Sequence, residues 1–170
     1  MHHPLYRLSV PAFHRGLGVL STYLGKAEAY ANEKGIDPKV LIDTRLAPDM
    51  LSLAGQVQRA SDTSKGSISR LTGVAAPRFD DTESTIGELQ QRIAGTLAFF
   101  DSVHPAAFEG SDLREVSLNF PTVKATFTGE DYLLKFALPN FYFHLATAHG
   151  ILRQQGLGIG KTDYLGASAW

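Results

Sequence analysis

Six histidines and no cysteine set the chemistry open to this chain. Disulfide scaffolds, thiolate metal sites and cysteine nucleophiles are excluded. His144 and His149 lie five residues apart, about 140° around a helix axis, and so do not comfortably face one metal. His144 shares a mostly apolar, inward face with Ala137, Asn140, Phe141, Ala148 and Ile151. His149 shares its face with Tyr142, Leu145 and Arg153 and falls at the boundary. His14 sits beside Phe13 at the edge of a helical core face, and His104 precedes Pro105 in a loop. His2 and His3 belong to a terminus expected to fray.

An inward histidine four residues after an inward asparagine is the strongest polar pair in the chain. Two readings stay open. One is a buried His–Asn hydrogen bond holding a kinked helix; the other is a ligand or metal pocket. Either needs partners, because buried polar groups are paired. Gln56 is the obvious one on the helix of residues 48–72, with Gln58 and Asp62 the next nearest.

Other motifs carry less. Gly156-Leu157-Gly158-Ile159-Gly160-Lys161-Thr162 resembles a phosphate loop, but Gln155 stands where the first glycine is required, and the run follows a helix rather than a strand. A helix C-cap and a flexible tail ending in Trp170 account for it. No Gly-x-Ser-x-Gly elbow, His-Glu-x-x-His helix or Glu-x-x-His repeat occurs. Asp80-Asp81 reads as a solvated loop pair, and the basic residues are scattered.

The elements that must position His144 are helical. Phe13, Leu17, Leu20, Leu24, Ala27 and Ala31 mark a first helix near 11–34, ending at Gly35. Pro11 is either its first-turn proline or a kink in a helix starting near Leu5. Asp37-Pro38 initiates a turn. Pro48 and Asp49 open a second helix near 48–72, with a stripe of Met50, Leu53, Val57, Ala60, Ser64, Ile68 and Leu71. Thr85 and Glu88 form a capping-box signature for a third near 85–102. The period then changes to two: Val116, Leu118 and Phe120 alternate with polar residues, as do Val123, Ala125 and Phe127, which predicts a hairpin near 115–127. Thr128 caps a last helix near 129–155, and Pro139 predicts a kink inside it. The predicted fold is all-α, a four-helix bundle with a short hairpin before the last helix, in one domain over 1–170.

At 170 residues the chain suits one core, and an apolar share of 44% is ordinary for a globular protein. Sixteen basic and seventeen acidic residues leave a net charge of -1, against nucleic acid as the main partner. No apolar run reaches the ~20 residues that span a bilayer, so no membrane partner and a cytoplasmic location are expected. Tyr132, Phe136, Phe141, Tyr142 and Phe143 crowd several faces of the last helix, which predicts a second burial surface and a homodimer.

Four segments resemble a bacterial family of unknown function, number nineteen-ninety-three of that kind. They are Arg45-Leu46-Ala47-Pro48-Asp49-Met50, Gln56-Val57-Gln58, Leu138-Pro139-Asn140-Phe141-Tyr142-Phe143-His144 and Gly160-Lys161-Thr162-Asp163-Tyr164-Leu165-Gly166. That family is similar to the DinB/YfiT-like bundles, a metalloenzyme superfamily of often dimeric, thiol-handling transferases. The resemblance implies the bundle and a site of one histidine from the second helix and a His-x-x-x-His pair on the last. His144 matches the final histidine, Asn140 stands in the other's place, and Gln56 is the best match for the second-helix ligand. Amides are poor ligands for zinc or nickel. The expectation is therefore no resident cofactor, with at most a weak divalent metal on His144. Two functions follow: a non-catalytic or degenerate small-molecule-binding homodimer, or a thiol-linked transferase using His144 as acid, base or sole strong ligand.

Overall fold

The two starts open to the first helix resolve in favour of the earlier one. In the computed structural model, which describes residues 3–166, α1 runs Pro4–Lys34 with Pro11 inside it. His2 and Trp170 lie outside the described residues. Pro11 removes one backbone donor, but its ring faces solvent. The six apolar residues of the predicted stripe are all buried, and Gly35, at φ +65°, closes the helix in the left-handed conformation. A short α2 (Pro38–Asp43) follows, capped by the Asp37 carboxylate on the Lys39 N–H.

The second long helix starts later than Pro48. Residues 45–52 form a loop closed by a bridge between Arg45 and Ser52, with the Arg45 guanidinium on the Met50 carbonyl. Helix α3 runs Leu53–Thr72, and Ser52 Oγ accepts from the Gly55 N–H. A serine that satisfies an orphan donor marks a start more firmly than a proline that merely lacks one. Met50 is therefore outside the helix and half-buried, while the rest of its predicted stripe is buried.

Helix α4 (Ile86–Ser102) opens with the predicted box, Thr85 Oγ1 accepting from Glu88 N–H and the Glu88 carboxylate from Thr85 N–H. A 3-10 turn at Pro105–Phe108 leads to β1 (Glu115–Phe120) and β2 (Val123–Thr128), antiparallel from Glu115↔Thr128 to Phe120↔Val123. Val116 and Leu118 reach the core. Gly129 is required where the hairpin meets the last helix, since any Cβ there would collide with the Ser111 carbonyl.

The last helix is continuous in three parts: α5 (Gly129–Tyr132), a π-helical stretch (Leu133–Ala137) and α6 (Leu138–Gln154). The Leu138 N–H bonds the Leu133 carbonyl five residues back, a wider turn placed immediately before Pro139. Helix α3 packs on α6 and α4, and α1 packs on α4 and α6, completing the four-helix bundle. Phe13 meets Phe141 edge-on at 5.0 Å between centroids. Gly16 makes room for that ring, because a methyl there would strike it.

The segment after Gly156 corrects the expectation of a flexible tail through residue 166. Gly156, at φ +92°, caps the helix as read, but Leu157 and Ile159 are buried. A final α7 (Lys161–Leu165) is tied back by Lys26 to Asp163 and by Arg15 to the Leu165 carbonyl. Among the described residues no helix is long and apolar enough to cross a membrane.

Candidate functional site

Helix α3, the last helix and the hairpin tip border a half-open cavity of about 580 Å³, within the range of small-molecule sites. Leu51, Phe120, Val123 and Phe136 supply apolar walls; Thr63, Asn140 and His144 supply neutral polar groups. Arg59, Lys65 and Arg70 face it with a single carboxylate, Asp62.

The histidine is fixed by its neighbour. Gln56, 1% exposed, donates from Nε2 to the Leu51 carbonyl, which leaves its Oε1 as the acceptor facing His144 Nδ1 at 2.8 Å. Nδ1 therefore carries the hydrogen, and the lone pair resides on Nε2. No hydrogen bond joins Nε2 to another described residue, and the atom is not sealed from solvent. Burial, with the nearby Arg59 charge adding to it, pushes the imidazole pKa down from 6.5 to about 4. At neutral pH the ring is an uncharged acceptor in the cavity wall.

The other expected residues divide. Asn140 lines the cavity, but Nδ2 donates to Thr63 Oγ1 at 2.8 Å, so it is not the histidine's partner. Asp62 also lines it, with its oxygens engaged by Lys65, Arg92 and Arg59. Gln58 corrects the sequence reading. It donates to Glu83 at 2.9 Å and takes no part in the cavity lining.

The sequence matches the model of the Domain of unknown function (DUF1993) over residues 5–165. The chain belongs to the DUF1993 family. The fold matches the crystal structure of a DinB family member from Shewanella denitrificans with a TM-score of 0.91 at 42% identity, over 98% of this chain and 94% of that one. None of the curated proteins compared with it matches.

DinB relationship raises the question of a metal, and the donors of this DUF1993 chain answer it chemically. Zinc-like ions take three strong protein donors when a fourth place stays open. Here Nε2 of His144 is strong and open, but Gln56 and Asn140 present amides already bonded, and Asp62 is held by three cations. Among the described residues no group of three His, Cys, Asp or Glu side chains could hold a metal ion. These residues do not fit such a centre.

The remaining histidines lie elsewhere. His149 is paired through Nδ1 with the Tyr23 hydroxyl at 2.6 Å, on the opposite side of α6, edge-on to Tyr164. His14 and His104 are exposed, so His14 is not at a core edge. Asp81 of the DUF1993 chain is no idle solvated carboxylate, since it pairs with Arg59 and Arg92. Arg70, like Arg59, Thr63 and Lys65, is a cavity residue the sequence reading passed over. Its position seven residues after Thr63 on α3 placed it on the same helix face.

Proposed function

We propose that this protein, as one domain over 1–170, is a non-catalytic or degenerate small-molecule-binding homodimer. Its cavity holds a hydrogen-bond donor of the ligand on Nε2 of His144. The observation that carries this is the Gln56–His144 bond, which fixes one tautomer and leaves an acceptor in the part-apolar wall of a half-open cavity. A conjugate-acid pKa of about 4 makes His144 a weak base at neutral pH, whereas a general base works best near the operating pH. That favours holding over proton abstraction. The open Nε2 also sustains a second reading, a thiol-linked transferase using His144 as acid or base; turnover lost in His144→Gln would favour it.

Benzyl alcohol, one hydroxyl on an apolar body, is a suitable probe. In nitrogen-15 NMR it should shift His144 Nε2 and the Asn140 amide, and His144→Phe should abolish the shift. Unmoved resonances at millimolar probe would overturn the reading.

Chelation should leave thermal stability nearly unchanged, while His144→Ala should lower it by about 1–3 kcal/mol through the unpaired Gln56 carbonyl. Stoichiometric zinc or nickel that survives chelator dialysis and is lost in His144→Ala would overturn the metal-free reading; a weak divalent ion on His144 alone would not survive it. The depressed pKa adds a pH signature. The unfolded imidazole takes up a proton below 6.5 and the folded one only near 4. Stability is present above 6.5 and declines between those values, a slope His144→Ala should remove.

Self-association draws support from α6. Pro139, Phe143 and Ala146 are exposed at helical steps, Phe143 by 54%, with Leu46 and Leu51 also exposed. Light scattering at tens of micromolar should give a dimer mass in the cytoplasm-like buffer expected for this protein. A clean monomer mass would refute the homodimer.

A further inference from the structure

One cation of the cavity is uncommitted. Arg59 pairs with Asp62 and Asp81, and Lys65 with Asp62. Arg70 makes no ion pair among the described residues. Its guanidinium lies over the Phe120 ring at 5.9 Å and the Tyr132 ring at 6.0 Å, with one long 3.4 Å bond to the Tyr132 hydroxyl. Aromatic faces hold a planar guanidinium in place while leaving its in-plane donors open, the arrangement that suits a fork-like grip on an oxyanion. Phe120 itself is 42% exposed, an apolar ring kept at the hairpin tip beside the cavity.

The position of this fork sets the ligand's shape. Nη1 of Arg70 folds back over Gly66, where any side chain would meet it at 2.7 Å. Gly66 is ten residues along α3 from Gln56, the residue that holds His144, or roughly 15 Å at the helical rise. Val123 and Phe136 line the same cavity as both ends.

We infer that the cavity takes an elongated amphipathic oxyanion, with a carboxylate or phosphate-monoester head on Arg70 and an apolar body along Phe120, Val123 and Phe136. The far end points to the His144 level; this part rests on the functional reading above. Opposite charge at Asp62 does not cancel the attraction, because that carboxylate is already neutralised by three partners.

Calorimetry and NMR on the full chain with decanoate, decyl phosphate, decylamine, decane diol and omega-hydroxydecanoate test this. Decanoate or decyl phosphate should bind and shift Phe120 and Tyr132, their ratio reporting which head is preferred, and decylamine should not bind. Arg70→Gln should weaken the oxyanions at least tenfold and leave decane diol unchanged; Arg70→Lys should restore only part. Arg70 is exposed, so both variants should melt with the wild type. Omega-hydroxydecanoate should bind more tightly than decanoate, and His144→Phe should remove that difference alone. Oxyanion binding indifferent to Arg70→Gln, or equal binding of decylamine, overturns the inference while the His144 reading stands on benzyl alcohol. Arg70-dependent binding of omega-hydroxydecanoate without any response at His144 sustains the head-group assignment and overturns the functional reading instead.

Discussion

Arg92→Ala should cost the fold about 3–5 kcal/mol in urea unfolding, the range for breaking one side of a buried ion cluster. The Arg92 side chain is 1% exposed and bridges Asp62 at 2.7 Å, Glu83 at 2.8 Å and Asp81 at 3.0 Å. It also donates to the Asp80 carbonyl, so it ties the loop before α4 to the face of α3. Alanine would leave Glu83, itself 10% exposed, without its guanidinium. Burial alone would raise the Asp62 pKa, but the Lys65 hydrogen bond and the charges of Arg92, Lys65 and Arg59 outweigh it and hold it below 3.8. A depressed carboxylate stabilises the native state above its unfolded pKa, and that stabilisation is lost as pH falls through the folded value. Arg92→Ala should therefore also flatten the acid limb of the stability curve. A loss under about 1 kcal/mol, the worth of an exposed pair, would show that the cluster is solvated rather than structural.

Phe141→Ala should destabilise by about 3–5 kcal/mol, as for other large aromatic truncations in cores. The ring is fully buried, meets Phe13 edge-on and fills the notch left by Gly16. It lies one turn before His144 on the same helix, so its loss should also loosen the Gln56–His144 pair. A double-mutant cycle isolates the notch. Gly16→Ala should be strongly destabilising in the wild type and much milder in the Phe141→Ala background. Additive effects at the two sites would mean that the ring does not occupy that notch.

Much of this was legible in the residue pattern, for reasons that differ by element. The stripe from Phe13 to Ala31, the Thr85–Glu88 box and the two alternating strands are local signals, and each encodes its own structure. Gln56 and His144 were readable as partners because each lies on the inward face of a periodic helix. Long-range charge was not. Arg92 carries nothing in its neighbourhood to tell that Asp62, Asp81 and Glu83 converge on it from two other segments. The same blindness let Asp81 pass as solvated, left Gln58 in the site although it serves Glu83, and overlooked Arg70, whose partners are rings of the hairpin tip and the last helix. The late start of α3 was missed because Pro48 and Asp49 read as a helix opening, while the Arg45–Ser52 bridge and the Ser52 cap that set the true start depend on pairing across the loop.

The wide turn at Leu133–Ala137 has a consequence for how the cavity wall is indexed. In an uninterrupted α-helix, residues spaced by four slip by about 40° per step, so Tyr132 and His144 would diverge by about 120°. A stretch bonded five residues back winds more slowly, and steps of four then lose less alignment. Tyr132, Phe136, Asn140 and His144 consequently line one cavity across four successive turns. The stretch acts as a phase corrector, joining an aromatic register upstream to a polar register downstream. Removing a single residue between Leu133 and Ala137 would leave eleven steps of ordinary winding between Tyr132 and His144, about 20° from alignment, so the wide turn absorbs one extra residue while keeping the arginine end and the histidine end on one side.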